Sequence, residues 1–304
     1  HTYMNNPVAK AFLEFRRTFY GDHPYAVSPL GVLADIESLS ADQCRSFYDR
    51  WYSPGNAVVV IVGDIHGSEQ ALEYVSRHFG KLSGNGPPSP PPGESFEPGG
   101  GPRWMKRRVE FDVPILLIGY PAPSSAHPDA LALEILQQVV CQGESSRMHR
   151  EVVRRASLAV MAAGMNHLLR LSGMSLFFAA FTPDVSARRV GAALDEQVRL
   201  VREKGISETE MEKVRNGTLT SRTFEAYSAE HLCQRLGYSE VVEGDYRLWV
   251  ERLAALERLD ISTLTDVARK YWNDNAKHTL HLRPKRAKPL LYAMGLLRRA
   301  FGKK

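Results

Sequence analysis

The chain has 304 residues, is 43% hydrophobic and 24% charged, and carries a formal net charge of +5. That length suggests about two domains, and the balance is that of an ordinary globular protein. No apolar run approaches the ~18 residues of a membrane span.

The charge is unevenly placed. Residues 285–304 hold Lys285, Arg286, Lys288, Arg298, Arg299, Lys303 and Lys304 and no acid, so the remainder sums to −2. A slightly acidic body argues against a nucleic-acid-binding surface. Cys44, Cys141 and Cys233 are widely spaced and form neither a Cys-x-x-Cys metal pair nor a disulfide framework. Their apolar, helix-like surroundings predict buried free thiols. The opening His1-Thr2-Tyr3-Met4-Asn5-Asn6 lacks an initiator Met, a basic region and an apolar core, and reads as the middle of a longer protein.

In chain order, residues 7–20 predict a helix opened by Pro7 and closed by Gly21, with Val8, Phe12, Phe15 and Phe19 as its apolar stripe. Ser40 with Gln43 is a capping box for a helix to about Tyr52. Ser53-Pro54-Gly55-Asn56 is turn chemistry. Ala57 to Val62 is apolar on both faces and predicts a central strand covered by helices. Ser68 to Phe79 predicts a helix capped by Ser68 and stopped by Gly80. Residues 83–102 are dominated by Pro and Gly and predict an exposed linker.

Beyond the linker, Arg107 to Tyr120 reads as a strand and His127 to Val140 as a helix. Ser145 to Arg155 is a short helix, and 158–169 and 172–182 are two strands joined near Arg170. Val185 to Lys204 is helical. Ser207 with Glu210 is a second capping box, opening a helical region through Leu236. Two more helices, 246–259 and 262–272, precede a strand at 277–282.

An internal repeat spans both halves. Glu37-Ser38-Leu39-Ser40-Ala41-Asp42-Gln43 aligns with Glu257-Arg258-Leu259-Asp260-Ile261-Ser262-Thr263, and the offset of 220 holds through Trp51-Tyr52 against Tyr271-Trp272. Asn56-Ala57 then matches Asn275-Ala276 with one residue deleted. The expected fold is α+β: tandem duplicated α/β-sandwich domains, each a mixed or antiparallel sheet packed by helices, with the first copy truncated at its N-terminus.

Asn5-Asn6-Pro7, Gly21-Asp22-His23-Pro24-Tyr25, Trp51-Tyr52-Ser53-Pro54-Gly55-Asn56-Ala57, Val62-Gly63-Asp64 and His78-Phe79-Gly80, in that order, resemble the pitrilysin/insulinase family of zinc peptidases. Ser145-Ser146-Arg147, Phe177 to Pro183 and Gly205-Ile206-Ser207-Glu208-Thr209-Glu210-Met211 are similar to its second domain. The resemblance covers about residues 5–284. It implies residues 1–82 as the C-terminal part of a first domain, 83–102 as linker, 103–284 as a complete second domain and 285–304 as a basic tail.

The family's chemistry needs zinc on a His-x-x-Glu-His helix with a further Glu downstream. No His-x-x-Glu-His occurs here, and the ten histidines are scattered. Zinc is therefore expected in the full-length protein or a partner subunit, with no catalytic or metal residue on this chain. The family's motif is expected in the roughly 100 residues that the first copy lacks relative to the second. Glu14, the nearest remaining acid, reads as a polar position beside the aromatic stripe.

Active relatives hold substrate with an Arg and a Tyr seven residues apart. Alignment on Ser157-Leu158-Ala159 puts Val153 and Val160 at those positions, so both depart from the pattern. Arg154 or Arg155 could replace the Arg; the alternative is that both arginines form a solvated helix face. The implied ligand is a peptide or unfolded protein, and the implied partner is a second copy or a zinc-bearing homologue. A non-catalytic partner subunit or scaffold of the same fold is the alternative function. In the tail, Leu290, Met294, Leu297 and Phe301 fit one helical face beside basic residues, as for an anionic membrane surface; a frayed tail or a helix docked on its own domain is the alternative. The compartment, bacterial periplasm or cytoplasm, stays open.

Overall fold

A computed structural model describes residues 7–29, 31, 33–84, 103–286 and 289–301. The Asn5-Asn6 motif and most of the expected linker lie outside the described residues. Two compact units appear. One is His1–Ala26, Phe96–Gly217 and Ala255–Lys304; the other is Val27–Ser95 and Thr218–Ala254.

The first unit is built on a five-stranded sheet. Its strands are β1 (Arg103–Val109), β2 (Ile115–Ala122), β3 (Met161–Leu168), β4 (Gly173–Ala180) and β5 (His278–Pro284), in the order β1-β5-β2-β4-β3. β1 runs parallel to β5 and the other pairs are antiparallel. The single strand expected over 107–120 is thus two strands, and β5 lies between them. Pro114 has no N–H for a ladder, and its carbonyl accepts from Phe181 N at 3.1 Å instead.

Both faces of the sheet are covered, so its central strands are apolar on both sides. On one face lies α1 (Pro7–Tyr20). Ala11, Phe15 and Phe19 are its buried stripe, and they pack with Ile115, Leu117, Leu176, Leu280 and Leu282. On the other face lie α5 (Asp129–Cys141), α6 (Ala187–Lys204) and α10 (Ile261–Tyr271). There the buried Trp272 ring meets Phe177 edge-on at 5.1 Å. The chain from Arg147 to Arg155 is helical, with a π-helical stretch at His149–Arg155.

Helix starts follow the caps, with one exception at α4. The Ser40/Gln43 box opens α3 (Ala41–Trp51), with both reciprocal bonds present. The Ser207/Glu210 box opens α7 (Glu208–Tyr227), Ser207 Oγ accepting from Glu210 N at 3.2 Å and Ser207 N donating to Glu210 Oε2 at 2.9 Å. That helix does not run on to Leu236. Ser228 accepts from His231 N and starts α8 (Ala229–Tyr238). The cap of α4 (Ser68–Phe79) is Gly67, without a side-chain bond, rather than Ser68. The cap of α10 is Asp260, the counterpart of Ser40 in the repeat; it accepts from Thr263 N at 2.7 Å, and the helix begins one residue before the expected Ser262.

The repeat is visible in the backbone. Helix α2 (Leu33–Ser38) ends 220 residues before α9 (Leu248–Arg258), and α3 lies 220 residues before α10 at both ends. The short 3-10 turns Pro54–Asn56 and Asp274–Ala276 keep the same spacing, so no residue is deleted between the copies. Tyr52 (φ −96°, ψ 74°) and Trp272 (φ −86°, ψ 54°) close the two helices alike.

The copies diverge after the turn. The second continues into β5, paired on both sides. The first, residues 57–62, forms no strand; Val58, Val59 and Ile61 are exposed, with no ladder partner among the described residues. The expected central strand is therefore absent here, because a strand exists only by pairing. The same openness corrects the thiols: Cys44 is exposed and Cys233 half-buried, and only Cys141 is buried. A maleimide should label Cys44 in the native protein within minutes, and Cys141 only after denaturation. Native labelling of Cys141 at a similar rate would contradict this packing.

Candidate functional site

One depression is lined by the helical stretch that carries the candidate arginines, and a second lies beside β3. Both lie within the sheet-bearing unit.

The first, about 650 Å³, is lined by Arg147, Arg150, Arg155, Glu196 and Glu210 among others. Its floor is a bidentate pair: Arg147 Nε donates to Glu210 Oε1 at 2.7 Å and Nη2 to Oε2 at 2.5 Å. Arg147 Nη2 also donates to Gly205 O at 3.2 Å. Burial alone would raise the Glu210 carboxyl, but the Arg147 guanidinium and the Ser207 N–H outweigh it and hold the group down at about 2. Ser145-Ser146-Arg147 and Gly205 to Glu210, read separately in the sequence, meet in this one contact.

Above it, the candidate arginines are solvated. Arg155 pairs with Glu151 at 3.3 Å and its side chain is 82% exposed. Arg154 pairs with Glu144 at 2.5 Å, both exposed. Such pairs contribute about 0–1 kcal/mol and leave the guanidinium groups accessible. Val153 is buried at 7% exposure, whereas Val160 is 44% exposed at the entry to β3, its N–H donating to Ala180 O at 2.8 Å. Of the two positions expected to correspond to the family's Arg and Tyr, one is thus a core side chain and the other an exposed hydrocarbon.

The second depression, about 460 Å³, runs beside β3 and is lined by Gln137, Cys141, Gly164, Met165 and Asn166 among others. A Cβ on Gly164 would lie 2.6 Å from both Cys141 Sγ and Leu176 O, so glycine lets α5 come down onto the strand. Gln137 can then donate to Leu176 O at 3.0 Å. Gln137 Oε1 and Asn166 Nδ2 are buried here without a partner among the described residues. Burial pushes the Cys141 thiol well above its ordinary range, so it stays protonated at ordinary pH.

β3 is also the sheet's edge. Leu169 N donates to Ser172 O at 3.0 Å, which fixes the parity of the antiparallel ladder. Odd residues of β3 bond to β4, and Ala162, Gly164, Asn166 and Leu168 turn their N–H and C=O groups outward. The edge and the groove are adjacent, a feature that no local sequence pattern marks.

The residues do not fit a zinc site. Among the described residues no group of three or more His, Cys, Asp or Glu side chains could hold a metal ion. His278 packs edge-on against Phe19 at 5.1 Å and His281 stacks on Phe181 at 5.9 Å, on opposite faces of the sheet. Burial lowers both imidazoles, His281 to about 4, so the buried His278 and the half-buried His281 are neutral at ordinary pH.

The sequence pattern described as Peptidase M16 inactive domain matches residues 38–218. The zinc protease PqqE of Helicobacter pylori is 25% identical over 282 residues, covering 92% of this chain and 63% of that protein. The chain thus spans less than two thirds of that relative. A crystal structure of a protease from Helicobacter pylori has the same fold, with a TM-score of 0.86 and 24% identity over 93% of this chain and 68% of that one. So does a peptidase M16 inactive domain from Pseudomonas fluorescens, with a TM-score of 0.81 and 17% identity over 94% of this chain and 68% of that one.

Proposed function

Because the chain belongs to the M16 peptidase family, whose inactive-domain pattern it matches over residues 38–218, we propose that it is the chamber-wall and substrate-holding part of a zinc endopeptidase. Residues 1–82 are then the C-terminal part of a first peptidase-like domain, 83–102 the linker, and 103–284 the second domain. The zinc and its ligands belong to the full-length protein or to a zinc-bearing partner. This chain's role is to bind and orient peptide or unfolded protein.

The observation that carries this reading is the open edge of β3 beside the Gln137/Asn166 groove. An extended peptide can add there as a further strand, its backbone bonding the outward groups of Ala162, Gly164 and Asn166. A side-chain amide in the groove offers a donor to Gln137 Oε1 and an acceptor to Asn166 Nδ2.

Amide exchange with and without a reduced, unfolded protein substrate tests it. New protection is expected at the N–H groups of Ala162, Gly164 and Asn166 and not at Ala163 or Met165, which are already bonded to β4. Protection elsewhere, or none at saturating substrate, would overturn the proposed binding edge.

A second reading, a non-catalytic partner subunit or scaffold, is favoured by the hydrocarbon at Val153 and Val160, where the family resemblance would put the substrate-holding pair. Sedimentation with a zinc-bearing homologue separates the two. A stable heterodimer whose peptidase activity is unchanged by blocking the β3 edge would favour the scaffold.

A further inference from the structure

The C-terminal helix presents more apolar surface than its own unit covers. α11 (Pro289–Phe301) docks through Gly295, which is buried. A Cβ there would lie 2.6 Å from Thr182 Oγ1 and 2.7 Å from Asp184 Cγ, so only glycine allows the approach. Away from that contact, Leu290 is 73% exposed, Met294 54% and Leu297 57%, with Tyr292 and Leu296 also exposed. Leu290, Met294 and Leu297 recur at i, i+4 and i+7 and form one stripe.

Charge identifies what suits this stripe. The sequence from 285 to 304 holds seven Lys and Arg and no acid. They cluster at both ends of the apolar stretch: Lys285, Arg286 and Lys288 before it, Arg298, Arg299, Lys303 and Lys304 after it. A second copy of the chain would bring an equally basic tail against this one, and like charges would repel. An exposed apolar stripe bracketed at both ends by Lys and Arg suits an acyl-chain boundary ringed by anionic headgroups. Thirteen residues make a helix of about 20 Å, short of the ~30 Å hydrocarbon core, and no described helix is long and apolar enough to cross a membrane.

We propose that α11 lies in the plane of an anionic membrane surface, with Leu290, Met294 and Leu297 entering the acyl boundary and the flanking Lys and Arg residues at the headgroups. It would tether the peptide-holding unit to a lipid surface without a span.

Vesicle flotation of the full chain tests this. Vesicles of phosphatidylcholine with about 30 mol % phosphatidylglycerol should bind about tenfold more tightly than phosphatidylcholine alone, and about 0.5 M salt should remove most of the difference. The triple variant Leu290→Ser, Met294→Ser, Leu297→Ser should bind at least about tenfold more weakly. Its far-UV spectrum and thermal midpoint should match the parent, because all three side chains are exposed. Absence of binding to anionic vesicles, or equal binding by the triple variant, would overturn the proposal. So would a concentration-dependent dimer abolished in that variant, which would assign the stripe to a protein interface.

Discussion

Truncation of Phe15 to alanine should lower the unfolding free energy by about 3–5 kcal/mol, read from urea denaturation. Phe15 is fully buried, stacks on Phe19 at 5.6 Å, and joins α1 to the cluster on one face of the sheet. Its ring lies directly over Gly119 in β2. A Cβ on that glycine would come within 2.5 Å of Phe15 Cε1, which real side chains do not tolerate. Gly119→Ala should therefore cost about 1–3 kcal/mol by overpacking, despite the better strand propensity of alanine. The two changes are coupled. With the ring removed, the new methyl enters the space it left, and Gly119→Ala should become neutral or slightly stabilising in the Phe15→Ala background. Simple additivity in that double-mutant cycle would mean that α1 does not sit on β2 in solution.

What was legible in the sequence was local. The aromatic stripe of α1, the boxes at Ser40/Gln43 and Ser207/Glu210, and the β3–β4 hairpin depend on residues within a turn or two of one another. The opposite facing of His278 and His281 follows from strand alternation alone. What was not legible depends on distant partners. Nothing near Arg107 to Tyr120 announces that β5 enters between its two strands. The apolar run at 57–62 has the composition of β5's counterpart, but composition supplies no ladder, and the exposed Val58 and Val59 follow from that. At the site, the candidate arginines were found by alignment to a pattern, and they prove to be engaged with Glu144 and Glu151 at the surface. No motif marks the Gln137 groove. It exists because Gly164, a strand glycine 27 residues away, lets a helix reach the carbonyl of Leu176. A glycine inside a strand pattern was the available signal.

Arg147→Ala should cost about 2–3 kcal/mol at pH 7, because it strands a carboxylate that is only partly accessible. The side chains of Arg147 and Glu210 are 13% and 24% exposed, and the pair joins the helical stretch after α5 to the first turn of α7. The contact carries a pH signature. Glu210 is held at about 2 in the folded chain, below its usual value near 4.5. A depressed carboxyl stabilises the fold fully above its unfolded pKa, and that contribution fades as pH falls through the folded value. The gap in stability between the parent and Arg147→Ala should therefore be constant above about pH 5, shrink from pH 4.5 downward and nearly vanish around pH 2. Glu210→Gln keeps the acceptor for Ser207 N–H but not the charge, so it should show a smaller gap with the same acid dependence. A gap that persisted unchanged down to pH 2 would place the effect of Arg147 in its bond to Gly205 O and its packing, since neither of those titrates.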